Sequence, residues 1–356
     1  MSAYLIRRIF QMLIVLLVST MAIYGLLNLA PGGPFDALKQ VTDKKEKISP
    51  QQIAQMEKLL GLNKPPQLRY IAWLLGDDWM GALNEDWEGD RRGVLRGDFG
   101  NSFKDKRPVL VLMEKRIVKS IILTGLSSLL ALIVAIPIGI YSAVKQYSKA
   151  DYAFTFFTFI GSAIPSFWFG LMMIIVFGGQ FGRWGWPRFP TGGWSSVRAP
   201  GEGTLLHALG AQQGSILDIG VHLILPVIVL SLLQMASWTR FMRTSMLEVL
   251  QMDYVRTARA KGLGERLVIV KHAMRNALIP LVTIITFELP ALFSGTILTE
   301  TVFGIPGMGQ LFIIHLRSFD FSVTQAYLLI VAVLTVVATL LSDVLYTVVD
   351  PRIRLA

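Results

Sequence analysis

The sequence predicts an all-α polytopic membrane protein with six transmembrane helices and a subdomain inserted after the first. Three observations carry this expectation. Hydrophobic residues make up 53% of the chain and charged residues only 16%, whereas soluble domains carry about 25% charged residues. The apolar residues fall in six long unbroken runs, 9–30, 117–144, 152–177, 219–238, 278–302 and 323–349. Runs of this kind suit helices of about 20 residues rather than the alternating segments of a membrane barrel. Basic residues also favour one side: segment 239–277 holds eight Lys or Arg against three acids, and Lys145 and Lys149 lie in the other short connection on that side. By the positive-inside tendency these segments face the cytoplasm, as do both termini. The net charge of +10 is thereby assigned to span flanks rather than to nucleic acid.

Taken in order, Arg7 and Arg8 precede the first apolar run. A basic pair before an apolar stretch also describes a signal peptide, but this run exceeds the 7–15 residues typical of one. Pro31-Gly32-Gly33-Pro34 ends the helix. The following polar stretch, rich in Trp, Gly and charge, cannot lie in lipid with its backbone groups unpaired. It reads as an extracytoplasmic subdomain, with a short amphipathic helix over 51–60 and a surface insertion over 77–95. Of the prolines in or near the spans, Pro165 is the most central and is expected to kink its helix. The outer connections are 31–116, 178–218 and 303–322, and the inner ones 145–151 and 239–277.

The chain has no cysteine and no Gly-Lys dipeptide, so it contains no thiolate chemistry and no phosphate-binding loop. His207, His222, His272 and His315 show no metal-ligand spacing and read as loop or interfacial residues. Nothing in the pattern supports catalysis, cofactor binding or a metal site. Glu288 lies within the fifth run and Asp343 late in the sixth. An ionisable group there needs a cavity or a partner. Glu288 is a candidate pore-lining residue, with Pro165, or a structural hydrogen-bonding group; Asp343 favours the structural role.

The segment from Asp253 to Pro280 is basic and polar between two apolar runs. Asp253 is a candidate helix N-cap and Gly262 a candidate C′ glycine, with Tyr254, Ala258 and Lys261 on one face of the helix between them. A positively charged connector of this kind occurs in every multispan protein. Arg256-Thr257-Ala258-Arg259-Ala260-Lys261-Gly262, however, resembles the EAA loop of ABC importer permeases, in which Glu-Ala-Ala is followed after three residues by Gly. Ala258 and Gly262 match; Arg256 and Thr257 stand where Glu and the first Ala would be. These departures resemble the peptide/nickel branch. So do Ala30-Pro31-Gly32, the stretch Arg96-Gly97-Asp98-Phe99-Gly100-Asn101-Ser102, the turn Glu300-x-x-Phe303-x-x-Pro306-Gly307-x-Gly309, and Asp343-Val344-Leu345-Tyr346 running to Asp350-Pro351-Arg352-Ile353-Arg354.

The resemblance to the dipeptide/oligopeptide/nickel importer permeases covers nearly the whole chain, apart from 77–95. It implies the type I ABC importer (MetI-like) permease fold. The division would be residues 1–30, a cytoplasmic N-terminus and first span; 31–114, the outer subdomain; 115–350, the five-helix transmembrane domain with a coupling loop at about 240–277; and 351–356, a cytoplasmic tail. It implies a bacterial or archaeal cytoplasmic membrane location and a heterodimer with a homologous second permease. Two ABC ATPase subunits would bind the ATP and Mg, and an extracytoplasmic solute-binding protein would deliver the solute. It implies that Asp253, Tyr254, Arg256, Ala258, Arg259, Lys261 and Gly262 form the coupling helix toward the ATPase, with Tyr254 and Ala258 on the contact face. Peptides of various lengths, nickel chelates, opines and glutathione remain open as substrates. An ion-coupled secondary transporter is the rival reading; it would carry inverted repeats and interrupted midplane helices, which the sequence does not display.

Overall fold

The computed structural model describes residues 2–29, 64–288, 290–291 and 296–349. The Pro-Gly-Gly-Pro segment at 31–34, the helix expected at 51–60 and the terminal signature from Asp350 onward lie outside the described residues. No β-strand forms among those described, only the isolated bridges Asn101↔Pro108 and Arg188↔Thr204.

The helices are α1 (Ser2–Leu29), α2 (Pro66–Leu75), α3 (Val109–Val144), α4 (Lys149–Ala163), α5 (Ser166–Met173), α6 (Ile216–Leu250), α7 (Asp253–Ala260), α8 (Ile279–Phe287), α9 (Ile297–Val302), α10 (Met308–Arg317) and α11 (Phe321–Val349). Helix α5 continues through a π-helical stretch, Ile174–Gln180, into Phe181–Arg183, and a second π-helical stretch, Val268–Ala273, precedes α8. Four helices are long and apolar enough to cross a membrane, and two bent pairs bring the number to six when each pair is one span. Five of the six apolar runs map onto these spans; the fifth, 278–302, overlaps the last bent pair only as far as Phe287 and also takes in α9.

Two features differ from expectation. Helix α6 has 35 residues, about 52 Å at the usual rise per residue, against a hydrocarbon core of about 30 Å. It therefore carries Arg240, Arg243 and Glu248 beyond the apolar run that marks its lipid-crossing part. Pro165 does more than kink its span: α4 and the helical stretch Ser166–Arg183 meet at 101°. Ile164 is extended, with ψ 124°, as the residue before a proline tends to be. Pro137 and Pro226, by contrast, stay inside continuous helices.

The chain divides into two compact units. The first comprises the described residues within Ile117–Gln310 and 337–349. One core in it joins Ala131, Ala135 and Ala143 of α3 to Trp238, Met242 and Met246 of α6, with Ala273, Ala277 and Leu281 beside them. Ala131, Ala135, Gly139 and Ala143 recur every four residues, a small-residue stripe that lets membrane helices approach closely. A Cβ added at Gly139 would lie 2.6 Å from the Met242 Cβ and 3.0 Å from the Thr239 carbonyl oxygen. A second core joins Leu123, Met173, Leu223, Val229, Phe303 and Ile305.

The second unit comprises the described residues within Ser2–Arg116, together with Leu311–Val336. Tyr70 and Trp73 of α2 pack on Tyr24 of α1, and the Thr20 and Tyr70 hydroxyls are 2.8 Å apart. The insertion at 77–95 is organised by Asp77, whose carboxylate takes the buried Lys64 ammonium at 3.0 Å and the Arg91 N–H at 3.0 Å. His315 is not a loose loop residue: it is buried between Asp320 at 3.1 Å and Asp105 at 3.5 Å. Asp320 also accepts from Ser102 and from the Lys104 N–H. Burial raises the Asp320 pKa, but these donors outweigh it and hold the carboxyl below the ordinary aspartate value.

The α3–α6 crossing yields a test. Gly139→Ala forces atoms apart at the tightest point of the stripe and is expected to cost about 1–3 kcal/mol. Gly220→Ala in α6, where an added Cβ meets open space, is expected to leave stability unchanged or slightly raised. Thermal unfolding of the detergent-purified variants reads both.

Candidate functional site

Helix α7 is short and polar, and its ends are set by the backbone. Met252, extended at φ −69° and ψ 146°, occupies the N-cap position without a side-chain cap bond. Asp253, expected as the cap, is instead the first helical residue, where its charge favours the helix N-terminus. Gly262 has φ +77°, the left-handed conformation of a C′ glycine, and the following Leu263 N–H reaches back to the Ala258 carbonyl at 3.4 Å.

One face of α7 is already used. Val255 and Ala258, at i and i+3, are buried against Val268, with Val249 and Leu250 of α6 beside them. Ala258 was expected on the open contact face. Its small side chain instead permits close approach to this chain's own core. Tyr254 is partly exposed, and its hydroxyl accepts from Asn276 Nδ2 at 2.8 Å. Arg259 makes a two-point contact with Glu265 at 3.1 and 2.7 Å. The open face carries Asp253, Arg256, Arg259 and Lys261, with Leu263, Leu267 and Val270 exposed on the following segment. The result is a basic, partly apolar surface fixed to the end of α6.

Two turns above that end of α6, Arg243 donates Nε and Nη2 to the two carboxylate oxygens of Asp151, each at 3.0 Å. Asp151 begins α4 and is 3% exposed at its side chain. It also accepts from Ser142 of α3 and from the Tyr147 N–H at 3.0 Å. Tyr147 sits at φ +62° in the α3–α4 turn. One carboxylate thus gathers α3, its turn, α4 and α6. The sequence carries no visible sign of the pair, because its members are 92 positions apart.

The turn around Glu300, Phe303, Pro306, Gly307 and Gly309 is held by a buried carboxylate. Glu300 of α9 accepts from Ser120 Oγ at 2.8 Å and from the Gln310 N–H at 2.9 Å. Ser120 Oγ in turn accepts from the Met308 N–H at 2.8 Å. Gly307 lies against the carboxylate, with no room for a Cβ, and Gly309 lies against the Ile297 backbone. The Phe303 carbonyl accepts the Gly193 N–H at 2.7 Å, so the loop at 192–193 closes over the turn.

Glu288 is half-buried where α8 ends, at that helix's C-cap, rather than inside a continuous helix. Pro165 lines an apolar cavity of about 410 Å³ with Ile160, Ala163, Ile164, Phe167 and Trp168; Glu288 is not part of that lining. Among the described residues no group of three or more His, Cys, Asp or Glu is arranged to hold a metal ion.

The Asp151–Arg243 pair predicts a non-additive result. Arg243→Ala strands a carboxylate and is expected to cost about 3 kcal/mol or more. Asp151→Asn combined with Arg243→Gln removes both charges and is expected to recover more than half of that loss, read as thermal unfolding of the purified variants.

Comparison with known proteins places this geometry. Residues 135–355 match the family model described as binding-protein-dependent transport system inner membrane component, and residues 1–124 match that of its N-terminal region. The chain is 38% identical over 355 residues to the oligopeptide transport system permease protein AppB of Bacillus subtilis, covering 99% of this chain and 100% of that one. It is 34% identical over 359 residues to the dipeptide transport system permease protein DppB of Alkalihalophilus pseudofirmus, covering 99% and 100%. It is 34% identical over 362 residues to DppB of Escherichia coli K12, covering 99% of each chain. A multispan helical chain matched end to end in this way belongs to the family of binding-protein-dependent transport system inner membrane components.

Proposed function

We propose that this chain is the permease subunit of an ATP-driven importer and forms half of the path for dipeptides or oligopeptides. The observation that carries the substrate class is full-length similarity to permeases named for oligopeptide and dipeptide transport. Family membership removes the ion-coupled secondary transporter as a rival. The broken helices at Pro165 and Leu278, which such a transporter would also carry, therefore argue nothing against an importer permease.

In this reading the chain works with a homologous second permease, two ABC ATPase subunits that bind ATP and Mg, and an extracytoplasmic solute-binding protein. Residues 31–114 form the outer subdomain and 115–350 the transmembrane domain, with both termini cytoplasmic. The chain itself does no chemistry; hydrolysis belongs to the ATPases. The open face of α7, with Asp253, Tyr254, Arg256, Arg259 and Lys261, meets the ATPase. Ala258 and Gly262 fix that face by packing and by backbone conformation. Because α7 is seated on Val249 and Leu250 of α6, displacement of α7 moves α6. The Asp151–Arg243 pair passes that movement to α3 and α4. A stiff element biasing a bundle with two arrangements is the physical form of such coupling.

Three experiments test the reading. In vesicles reconstituted with the partner subunits, Arg256→Glu with Lys261→Glu is expected to preserve insertion while lowering peptide uptake at least about tenfold, a coupling free energy within the usual range. Uptake of labelled dipeptides and oligopeptides in the unmodified transporter, against none of a nickel chelate, supports the substrate class; the reverse refutes it. In this cysteine-free chain, Val197→Cys is expected to react with an impermeant thiol reagent in intact cells and Arg256→Cys only after permeabilisation. The opposite pattern inverts the topology.

A further inference from the structure

A cavity of about 630 Å³ opens beside the helical stretch that follows α5, lined by Gly179, Gly182, Arg183, Trp186, Arg188 and His207 among others. Its cationic wall is built rather than incidental. The Arg188 N–H donates to the Gly203 carbonyl at 3.0 Å, and the Arg188 carbonyl accepts the Leu205 N–H at 2.8 Å. The Arg188 side chain lies across Gly182, where a Cβ would come within 2.7 Å of its Cδ. Thr204 caps the turn that carries His207, accepting the His207 N–H at 3.2 Å. No Asp or Glu lines the cavity. Among the described residues neither Arg183 nor Arg188 has an ion-pair partner.

The surroundings are those of a membrane boundary. Trp184 and Trp186 are exposed beside the cavity, as indoles are where a span leaves lipid. Trp168, Leu171 and Ile175, spaced i, i+3 and i+7 along the same helical stretch, are also exposed. An apolar stripe thus leads along the helix to a basic pocket at its end. That pairing matches a molecule with hydrocarbon chains and one anionic head.

We infer that this cavity is a binding site for the phosphate of an anionic phospholipid, with Arg183 and Arg188 as ligands and the acyl chains along Trp168, Leu171 and Ile175. The guanidinium forks suit phosphate oxygens. The glycines let the headgroup approach the backbone, and the indoles hold the depth.

The test uses the assembled transporter in nanodiscs of phosphatidylcholine with a minor fraction of phosphatidylglycerol. Lipid retained on delipidation is counted by mass spectrometry. The unmodified complex is expected to retain phosphatidylglycerol in excess of its share. Enrichment should fall about fivefold for each of Arg183→Gln and Arg188→Gln. Ala208→Phe fills the cavity without removing charge and is expected to abolish enrichment as well, which separates loss of the site from loss of charge alone. Inorganic phosphate at millimolar concentration should not compete. Equal retention in all variants, or full displacement by inorganic phosphate, would overturn the assignment. So would unchanged enrichment accompanied by weaker docking of the solute-binding protein, which would give the pocket to an acidic protein surface instead.

Discussion

The arrangement depends first on a buried carboxylate that is not allowed to be alone. Asp151 meets a two-point guanidinium, a hydroxyl and a backbone N–H, and through them three helices are held at one end of the bundle. An unpaired buried charge is costly, so the pair is an obligation on the geometry rather than a surplus of stability. The same device recurs elsewhere. Glu300 closes the turn between α9 and α10, Asp218 gathers Ser196 and Gly214 at the start of α6, Asp77 organises the inserted loop, and Asp320 anchors His315 and Ser102. Each carboxylate sits where a helix ends and a connection must be held, and where the lipid-crossing part contributes no specificity.

Between those ends the packing works by smallness. Lipid tails are as apolar as leucine, so helix association in a bilayer relies on close contact rather than on expelling water. The Ala131–Ala143 stripe lets α3 lie against Trp238, Met242 and Met246 of α6. Helix α6 is then both a packed member of the bundle and a lever whose far end carries α7. In this account the ATPase acts on a helix that is too short to hold its own conformation in isolation and is stiff because Val255 and Ala258 are buried.

Much of this was legible in the sequence, and the failures have identifiable causes. Six spans followed from six apolar runs, but hydropathy reports where lipid is and not where a helix stops, so the extensions of α3 and α6 were hidden. Gly262 was readable because few residues other than glycine take positive φ. Asp253 was misplaced by one residue because a capping preference competes with the dipole preference of the first turn, and Asp satisfies both. The face of Ala258 was misjudged because a small residue signals close approach without saying to what. Glu300, Gly307 and Gly309 were recognisable as a pattern, yet only the structure reveals that the glycines make room for the carboxylate. Asp151 and Arg243 could not be paired from one sequence, since nothing in either segment points to the other.

In the proposed coupling, α7 and α6 move as one body. The chain has no cysteine, so spin labels can be placed at Arg256 on α7 and at Phe241 on the exposed side of α6, and their separation measured by pulsed electron resonance in the assembled transporter with and without ATP. A rigid α6–α7 unit predicts one narrow distance distribution that does not change when ATP binds. A distribution that shifts or broadens on ATP binding, while the transporter remains coupled, would contradict it.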